Sequence, residues 1–157
     1  DGGAHSITWS NSDGISHVLD LRSADVNQDG HLDFLAVGTF GAWLYLNDGA
    51  GDFVLSWIAP EAASFESSML KDINGDGWVD IILPSDFQQV SIYLNQSGTG
   101  FTPLAHDYVG QGRAVSAMDF DNDGQNEVVF SLFEHNGVTP SGRNTCTTIV
   151  ATLSCQD

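Results

Sequence analysis

Residues 72–80 read DINGDGWVD, a run in which carboxylate or amide side chains occupy alternate positions and a glycine follows the fifth. Two close copies flank it along the chain, DVNQDGHLD at residues 25–33 and DFDNDGQNE at residues 119–127. Consecutive copies begin 47 residues apart in both cases. Because the same period occurs twice, we interpret the three runs as one loop of an internal structural repeat.

The segments around these acidic loops repeat as well. An apolar run follows each loop, and the string LYLN at residues 44–47 returns as IYLN at residues 92–95. Each unit therefore predicts a strand, the acidic loop, two further strands, an Asn-Gly or Ser-Gly turn and a fourth strand. Four antiparallel strands in roughly 40–50 residues are typical of a β-propeller blade. The sequence predicts an all-β fold, one domain over residues 1–157, with three blades at about residues 17–63, 64–110 and 111–157.

The acidic loops have the pattern of a calcium site. Oxygen atoms at positions 1, 3 and 5 converge when the chain curls, the glycine at position 6 permits the sharp turn, and an acid at position 9 closes the ligand set. Several like charges this close repel one another unless a cation lies between them. Hard oxygen ligands without His or Cys side chains favour Ca²⁺ over Mg²⁺.

Two other interpretations of these loops were open. An EF-hand loop shares positions 1 to 6 but needs an acid at position 12 and a helix after it. Position 12 is Ala36, Leu83 or Phe130 here, and strand-like residues follow. Solvated Asp/Asn/Gly turns without an ion are the second alternative, and three copies at equal spacing argue against it.

On these residues the chain resembles the FG-GAP/VCBS repeats of integrin-α-like β-propellers, over about residues 17–133. The family signature Phe-Gly-Gly-Ala-Pro is reduced to Phe40-Gly41-Ala42, which places the chain nearer the VCBS branch. In that family the acidic loop is a β-hairpin that holds Ca²⁺, so the resemblance implies three structural ions per chain. The implied ligands of the first ion are the side chains of Asp25, Asn27, Asp29 and Asp33 with the His31 carbonyl. Those of the second are Asp72, Asn74, Asp76 and Asp80 with the Trp78 carbonyl, and those of the third are Asp119, Asp121, Asp123 and Glu127 with the Gln125 carbonyl.

The strand pattern predicts an assembly of two chains. Residues 145–153 read as one strand with no fourth strand after it, while HSITW at residues 5–9 resembles FVLSW at residues 53–57. We therefore expect residues 5–10 to serve as a swapped outer strand. Three blades are too few to close a ring, so a dimer that forms one six-bladed propeller is favoured. A fragment of a longer propeller is the alternative.

Composition excludes several classes of partner. The chain has 4 basic and 21 acidic residues, a formal net charge of −17, which excludes nucleic-acid binding through a basic face and adsorption to anionic membrane. No run of 18 apolar residues occurs, so no membrane insertion is expected. Structural calcium sites and two cysteines favour an extracellular or secreted location. A straight strand would hold Cys146 and Cys155 about 30 Å apart, which is too far for a disulfide. The two cysteines are therefore bridged through a turn, paired elsewhere or free.

Three functions remain open at this point. Repeated shallow sites between blades favour a calcium-stabilised carbohydrate-binding lectin, similar to the integrin-like propeller lectins of the family. A protein-interaction or adhesion propeller and a polysaccharide-acting lyase or dehydratase are alternatives. The sequence contains no motif for a catalytic nucleophile, so we expect no enzyme activity. Trp57 is expected to pack between blades, and Trp78, at position 7 of its loop, to point away from the ion.

Overall fold

The computed structural model describes residues 10, 15, 17–85, 90–104, 111–120, 122, 126–133 and 146–152. These ranges contain eleven β-strands and no helix, which confirms the all-β prediction. The strands are β1 (Val18–Ala24), β2 (Asp33–Gly38), β3 (Gly41–Asn47), β4 (Phe53–Ile58), β5 (Met69–Lys71), β6 (Asp80–Pro84), β7 (Val90–Asn95), β8 (Phe101–Pro103), β9 (Gln111–Met118), β10 (Glu127–Phe133) and β11 (Cys146–Thr152). Nothing in this part of the chain is a helix of the length and apolarity that crossing a membrane requires.

The strands form three antiparallel sheets in chain order. Sheet 1 has the order β1-β2-β3-β4, sheet 2 the order β5-β6-β7-β8, and sheet 3 the order β9-β10-β11 within the described residues. Each strand pairs with its neighbours in sequence, so every sheet is a meander. The strand expected at residues 145–153 is confirmed as β11. The swapped strand expected at residues 5–10 lies, apart from Ser10, outside the described residues, as does Cys155.

The acidic loops occupy the same place in all three sheets. We call residues 25–33 loop 1, residues 72–80 loop 2 and residues 119–127 loop 3; each joins the first strand of its sheet to the second. The residues that flank the loops pair identically, Ala24 with Asp33, Lys71 with Asp80 and Met118 with Glu127. Position 9 is therefore the first residue of the second strand in every sheet, and the sequence repeat corresponds to a structural repeat.

Among the described residues, buried apolar side chains form two clusters, one on each face of sheet 2. Alternate residues of a strand point to opposite faces, so β6 contributes to both clusters. Ile81 and Leu83 pack with Leu35 and Leu44 of sheet 1. On the other face, Ile82 and Ile92 pack with Ala117 and Val128 of sheet 3. The three sheets are thus stacked face to face, with sheet 2 in the middle.

Candidate metal sites

In loop 1, the side chains of positions 1, 3 and 5 converge because they form hydrogen bonds with backbone N–H groups of the loop and with one another. The N–H of Asp29 donates to Asp25 Oδ1 and to Asn27 Oδ1, each at 3.1 Å, so these two oxygens converge on one point. Asp25 Oδ2 accepts the N–H of Gly30 at 2.9 Å, and Asn27 Nδ2 donates to Asp29 Oδ2 at 2.8 Å. Gly30 has a φ of 90°, the left-handed backbone that the turn at position 6 requires.

Loop 2 repeats this arrangement. Asp72 Oδ2 accepts the N–H of Gly77 at 2.8 Å, which is the bond that Asp25 makes with Gly30. Asn74 Oδ1 accepts the N–H of Asp76 at 3.0 Å, and Asn74 Nδ2 donates to Asp76 Oδ2 at 3.0 Å. The loops differ at Oδ1 of position 1, which accepts the N–H of Asp29 in loop 1 and that of Gly75 in loop 2. Because the bonds described above recur in two loops with different intervening residues, the shared arrangement follows from the alternating Asp and Asn side chains and the glycine.

The acid at position 9 is buried in loops 1 and 2. Asp33 and Asp80 are both 0% exposed. Asp33 accepts the N–H of Val26 at 2.8 Å and that of Asn47 at 2.9 Å, one on each oxygen. Asp80 accepts the N–H of Ile73 at 3.1 Å and that of Asn95 at 2.8 Å in the same way. These carboxylates therefore tie the loop to the end of the third strand, a role that the ligand pattern alone did not predict.

The asparagines that end β3 and β7 donate hydrogen bonds to backbone carbonyls of the loops. Asn47 Nδ2 donates to the carbonyl of Leu32 at 3.1 Å, and Asn95 Nδ2 donates to that of Val79 at 3.0 Å. The sequence signal for them was present, since LYLN and IYLN recur around the loops. Asn95 opens an Asn-Gln-Ser sequon, but it is only 2% exposed, which agrees with a turn residue rather than a glycan site.

Loop 3 is described only in part. Glu127 Oε2 accepts the N–H of Phe120 at 2.7 Å, the counterpart of the bonds from Val26 to Asp33 and from Ile73 to Asp80. Glu127 is 3% exposed, and its Oε1 is buried without a hydrogen-bond partner. Asp121, Asp123 and Gln125, which were predicted as ligands, lie outside the described residues.

The loop carboxylates differ in electrostatic environment. The amide of Asn27 and the N–H of His31 donate to Asp29 and hold the pKa of that exposed carboxyl below its usual range. Burial raises the pKa of Asp80 to about 6, although the N–H groups of Asn95 and Ile73 act in the opposite direction. The carboxylates of Asp76 and Asp72 add to the increase by repulsion. A cation beside Asp80 would remove this repulsion.

The donor set fits a hard cation in its chemistry. In loops 1 and 2, positions 1 and 5 present carboxylate oxygens and position 3 presents an amide oxygen, and the oxygens of positions 1 and 3 lie within hydrogen-bond distance of a shared backbone turn. Within the described residues, no group of three or more His, Cys, Asp or Glu side chains is close enough to hold a metal ion. The amide of Asn27 or Asn74 is the third member of its cluster. The position 9 carboxylates have both oxygens bonded to N–H groups, each with a second lone pair left for a ligand.

Hydrogen bonds connect the loops of successive sheets. Gln28 Nε2 of loop 1 donates to the Gly77 carbonyl of loop 2 at 2.8 Å. Asn126 Nδ2 of loop 3 donates to the Asp72 carbonyl of loop 2 at 3.1 Å. Asn95 Nδ2 also donates to the Val26 carbonyl of loop 1 at 3.0 Å. The three loops therefore lie along one edge of the stacked sheets.

Aromatic rings close the space between sheets 1 and 2. Trp57 of β4 meets the ring of Tyr93 edge-on at 4.9 Å and the ring of Phe101 at 5.4 Å, which confirms its expected role in packing between repeats. Above these rings lies a pocket of about 70 Å³, next to loop 1, with Asn27, Ser56 and Thr99 among its polar lining residues. The ring of Trp78 packs against the turn at Gly98, where a Cβ would lie 3.0 Å from it.

The comparison with known families agrees with this repeat. Residues 72–130, which run from loop 2 through loop 3 into β10, match the family model of the FG-GAP-like repeat. The resemblance drawn from the acidic loops is thereby confirmed over this segment. No curated protein matches the chain.

Proposed function

We propose that the chain is a calcium-stabilised binding module of the β-propeller type, in which each sheet is a blade and each acidic loop binds one Ca²⁺. The observation that supports it is the convergence of positions 1, 3 and 5 that loops 1 and 2 share, in which position 1 accepts the N–H of position 6 and position 3 accepts the N–H of position 5. In this proposal the oxygens of Asp25, Asn27 and Asp29 hold the ion of loop 1. The equivalent residues of loops 2 and 3 hold the other two.

The cation would stabilise the fold by neutralising the loops. Loops 1 and 2 each hold the side chains of positions 1 and 3 within hydrogen-bond distance of one backbone turn, in a chain of net charge −17. An ion that binds only the folded loop stabilises the folded state by mass action. Without an ion, the backbone of the loop already makes hydrogen bonds to the proposed ligand side chains. These bonds keep the side chains near the positions from which they would bind the ion, so little rearrangement opposes binding.

Thermal melting with and without a chelator tests the calcium proposal. We expect EDTA to lower the melting temperature and added Ca²⁺ to restore it. Asp76→Ala should reduce the Ca²⁺-dependent increase, because Asp76 is an exposed member of loop 2. Asp52→Ala, an exposed acid outside the three loops, is the matched control and should leave the increase unchanged. An unchanged melting temperature on chelation would contradict the structural role of calcium.

We further propose that the ligand is a carbohydrate and that the pocket between sheets 1 and 2 contacts it. The pocket combines the apolar rings of Trp57 and Phe101 with the polar groups of Asn27, Ser56 and Thr99. Sugars present both an apolar ring face and hydroxyl groups, so this combination suits them. A volume of about 70 Å³ accommodates one substituent or edge of a monosaccharide rather than a whole ring. A secreted location, which would expose the module to extracellular carbohydrates and calcium, belongs to the same proposal.

A glycan array on the calcium-loaded protein tests the lectin proposal. Ser56→Trp should fill the pocket and abolish a glycan signal. Val54→Trp, two residues away on β4 and 61% exposed, does not line the pocket and should leave the signal intact. If the folded wild type gave no signal on a broad array, the carbohydrate proposal would be contradicted, and a protein ligand would take its place.

A further inference from the structure

The stack of sheets has two outer faces, one on sheet 1 and one on sheet 3. The repeat positions on these outer faces are the same positions that form the contacts between sheets inside the stack. Position 2 of the acidic loop is the first example. Val26 and Ile73 hold this position in loops 1 and 2, are each 2% exposed and belong to the clusters between successive sheets. Phe120 holds it in loop 3 and is 49% exposed. A side chain that is buried in two repeats is thus presented to solvent in the third.

The last residue of the first strand behaves in the same way. Lys71 ends β5, and its Nζ reaches across to the carbonyl of Ala117 in sheet 3 at 2.7 Å. Met118 ends β9 in the equivalent register and is 46% exposed. The outward face of sheet 3 therefore presents Met118 and Phe120 at positions that elsewhere contact the following sheet.

Sheet 1 presents the complementary set of positions. Val115 and Ala117 on β9 pack against the cluster that sheet 2 supplies, and Leu70 on β5 packs against sheet 1. Leu21 on β1 is the register equivalent of Val115, because each pairs with position 12 of its repeat. Leu21 is 60% exposed and Val18 is 42% exposed. They line a largely apolar groove of about 500 Å³ with Ile15 and Ala36.

We propose that two copies of this chain bind head to tail, with the groove of sheet 1 in one copy occupied by the Met118 and Phe120 face of sheet 3 in the other. The second copy is the occupant because it offers, position for position, the face that already covers sheets 2 and 3 inside the chain. The two faces differ, so the contact is heterologous, and two such contacts close the pair into a ring. The ring contains three sheets from each copy.

Because both copies are strongly acidic, the force that holds them together is burial of apolar surface rather than electrostatic attraction. Two copies carry −17 each and repel one another, so the attraction comes from burial of apolar surface. Salt screens the repulsion over about 10 Å at 0.1 M, so the pair should tighten as salt increases. The inference does not use calcium ligation or glycan binding, and its failure is therefore distinguishable from failure of the proposed function.

Light scattering on calcium-saturated protein tests this contact with two lysine variants. The wild type should have twice the chain mass of 16.8 kDa at micromolar concentration. Leu21→Lys and Phe120→Lys should each be monomeric, because each removes one side of the contact. Both substitutions reduce the negative charge, so a loss of association cannot come from added repulsion. Val54→Lys is the matched control, since Val54 is 61% exposed but lies on β4, and it should remain dimeric.

Mixing the two variants tests the head-to-tail geometry. The Leu21→Lys copy keeps an intact sheet 3 face and the Phe120→Lys copy keeps an intact groove, so one wild-type contact remains between them. We expect the mixture to form a one-to-one pair while each variant alone stays monomeric. A monomeric wild type would overturn the proposal, and so would a Phe120→Lys variant that dimerises alone. Circular dichroism spectra that match the wild type exclude unfolding as the cause of dissociation.

Discussion

Asp80 and Asp76 belong to the same loop but are held in different ways. Asp80 is fully buried with a backbone N–H on each oxygen, whereas Asp76 is exposed. Asp80→Asn places an amide N–H₂ against one of these donors. We expect it to lower the free energy of unfolding in EDTA by about 1–3 kcal/mol, the cost of a buried polar group that loses its partner.

Urea unfolding in EDTA measures this difference. Asp76→Asn is the control, because water can replace the bonds of an exposed side chain, and it should change the metal-free stability by less than about 0.5 kcal/mol. Equal effects of the two variants would show that position 9 has no special structural role.

The raised pKa of Asp80 gives a pH dependence of known sign. Because its pKa in the folded state is about 6, above the usual 3.8, folding favours the protonated form. In EDTA this group should therefore increase the stability of the wild type as pH falls from 7 towards 4. Asp80→Asn lacks the group, so the stability difference between wild type and variant should widen over this interval. A difference that stays constant with pH would contradict the assignment.

At the residue scale, the sequence predicted that positions 1, 3 and 5 converge, which loops 1 and 2 show, but it did not predict the burial of position 9. Alternating Asp and Asn side chains with a glycine act within a few residues, so their arrangement can be inferred locally. The bonds of Asp33 and Asp80 depend on N–H groups 14 and 15 residues later, at the ends of β3 and β7. A ligand pattern contains no information about such a partner.

Between elements, Asn95 connects two sheets through one amide. Its Nδ2 donates to the Val79 carbonyl of its own sheet and to the Val26 carbonyl of sheet 1. Asn95→Asp removes both donors and buries a carboxylate near Asp80. Asn47→Asp is the matched variant in sheet 1, where a single Nδ2 bond reaches the Leu32 carbonyl at the exposed end of the loop.

We expect Asn95→Asp to destabilise the protein by about 3 kcal/mol or more, and Asn47→Asp by about 1 kcal/mol. Thermal unfolding in the same buffer compares the two. If both variants melted at the same temperature, the link between sheets through Asn95 would contribute nothing.

The order of strands was predictable at the element scale, whereas the contacts between sheets were not. Apolar runs after each loop located β2, β6 and β10, and the strand expected at residues 145–153 is present as β11. The bond from Asn95 to Val26 spans 69 residues and arises only when the sheets stack. Trp57 was assigned to packing because its strand repeats, although its partners Tyr93 and Phe101 became known only from the fold.

At the scale of the whole molecule, the period of 47 residues fixes the repetition of sheets and places the loops along one edge. Gln28, Asn95 and Asn126 connect these loops from one repeat to the next. The sequence period predicts that each repeat meets the next one, but it does not specify which side chains meet. The exposed positions of Leu21 and Phe120 became meaningful only through comparison with the buried positions in sheets 2 and 3.

Calcium binding is the central claim, and the number of ions per chain tests it most directly. Calorimetric titration of the metal-free protein should give three Ca²⁺ per chain, which changes the net charge from −17 to −11. Asp29→Ala and Asp76→Ala should each reduce the count by one and leave the other loops filled. A wild-type chain that binds fewer than two Ca²⁺ would contradict the account.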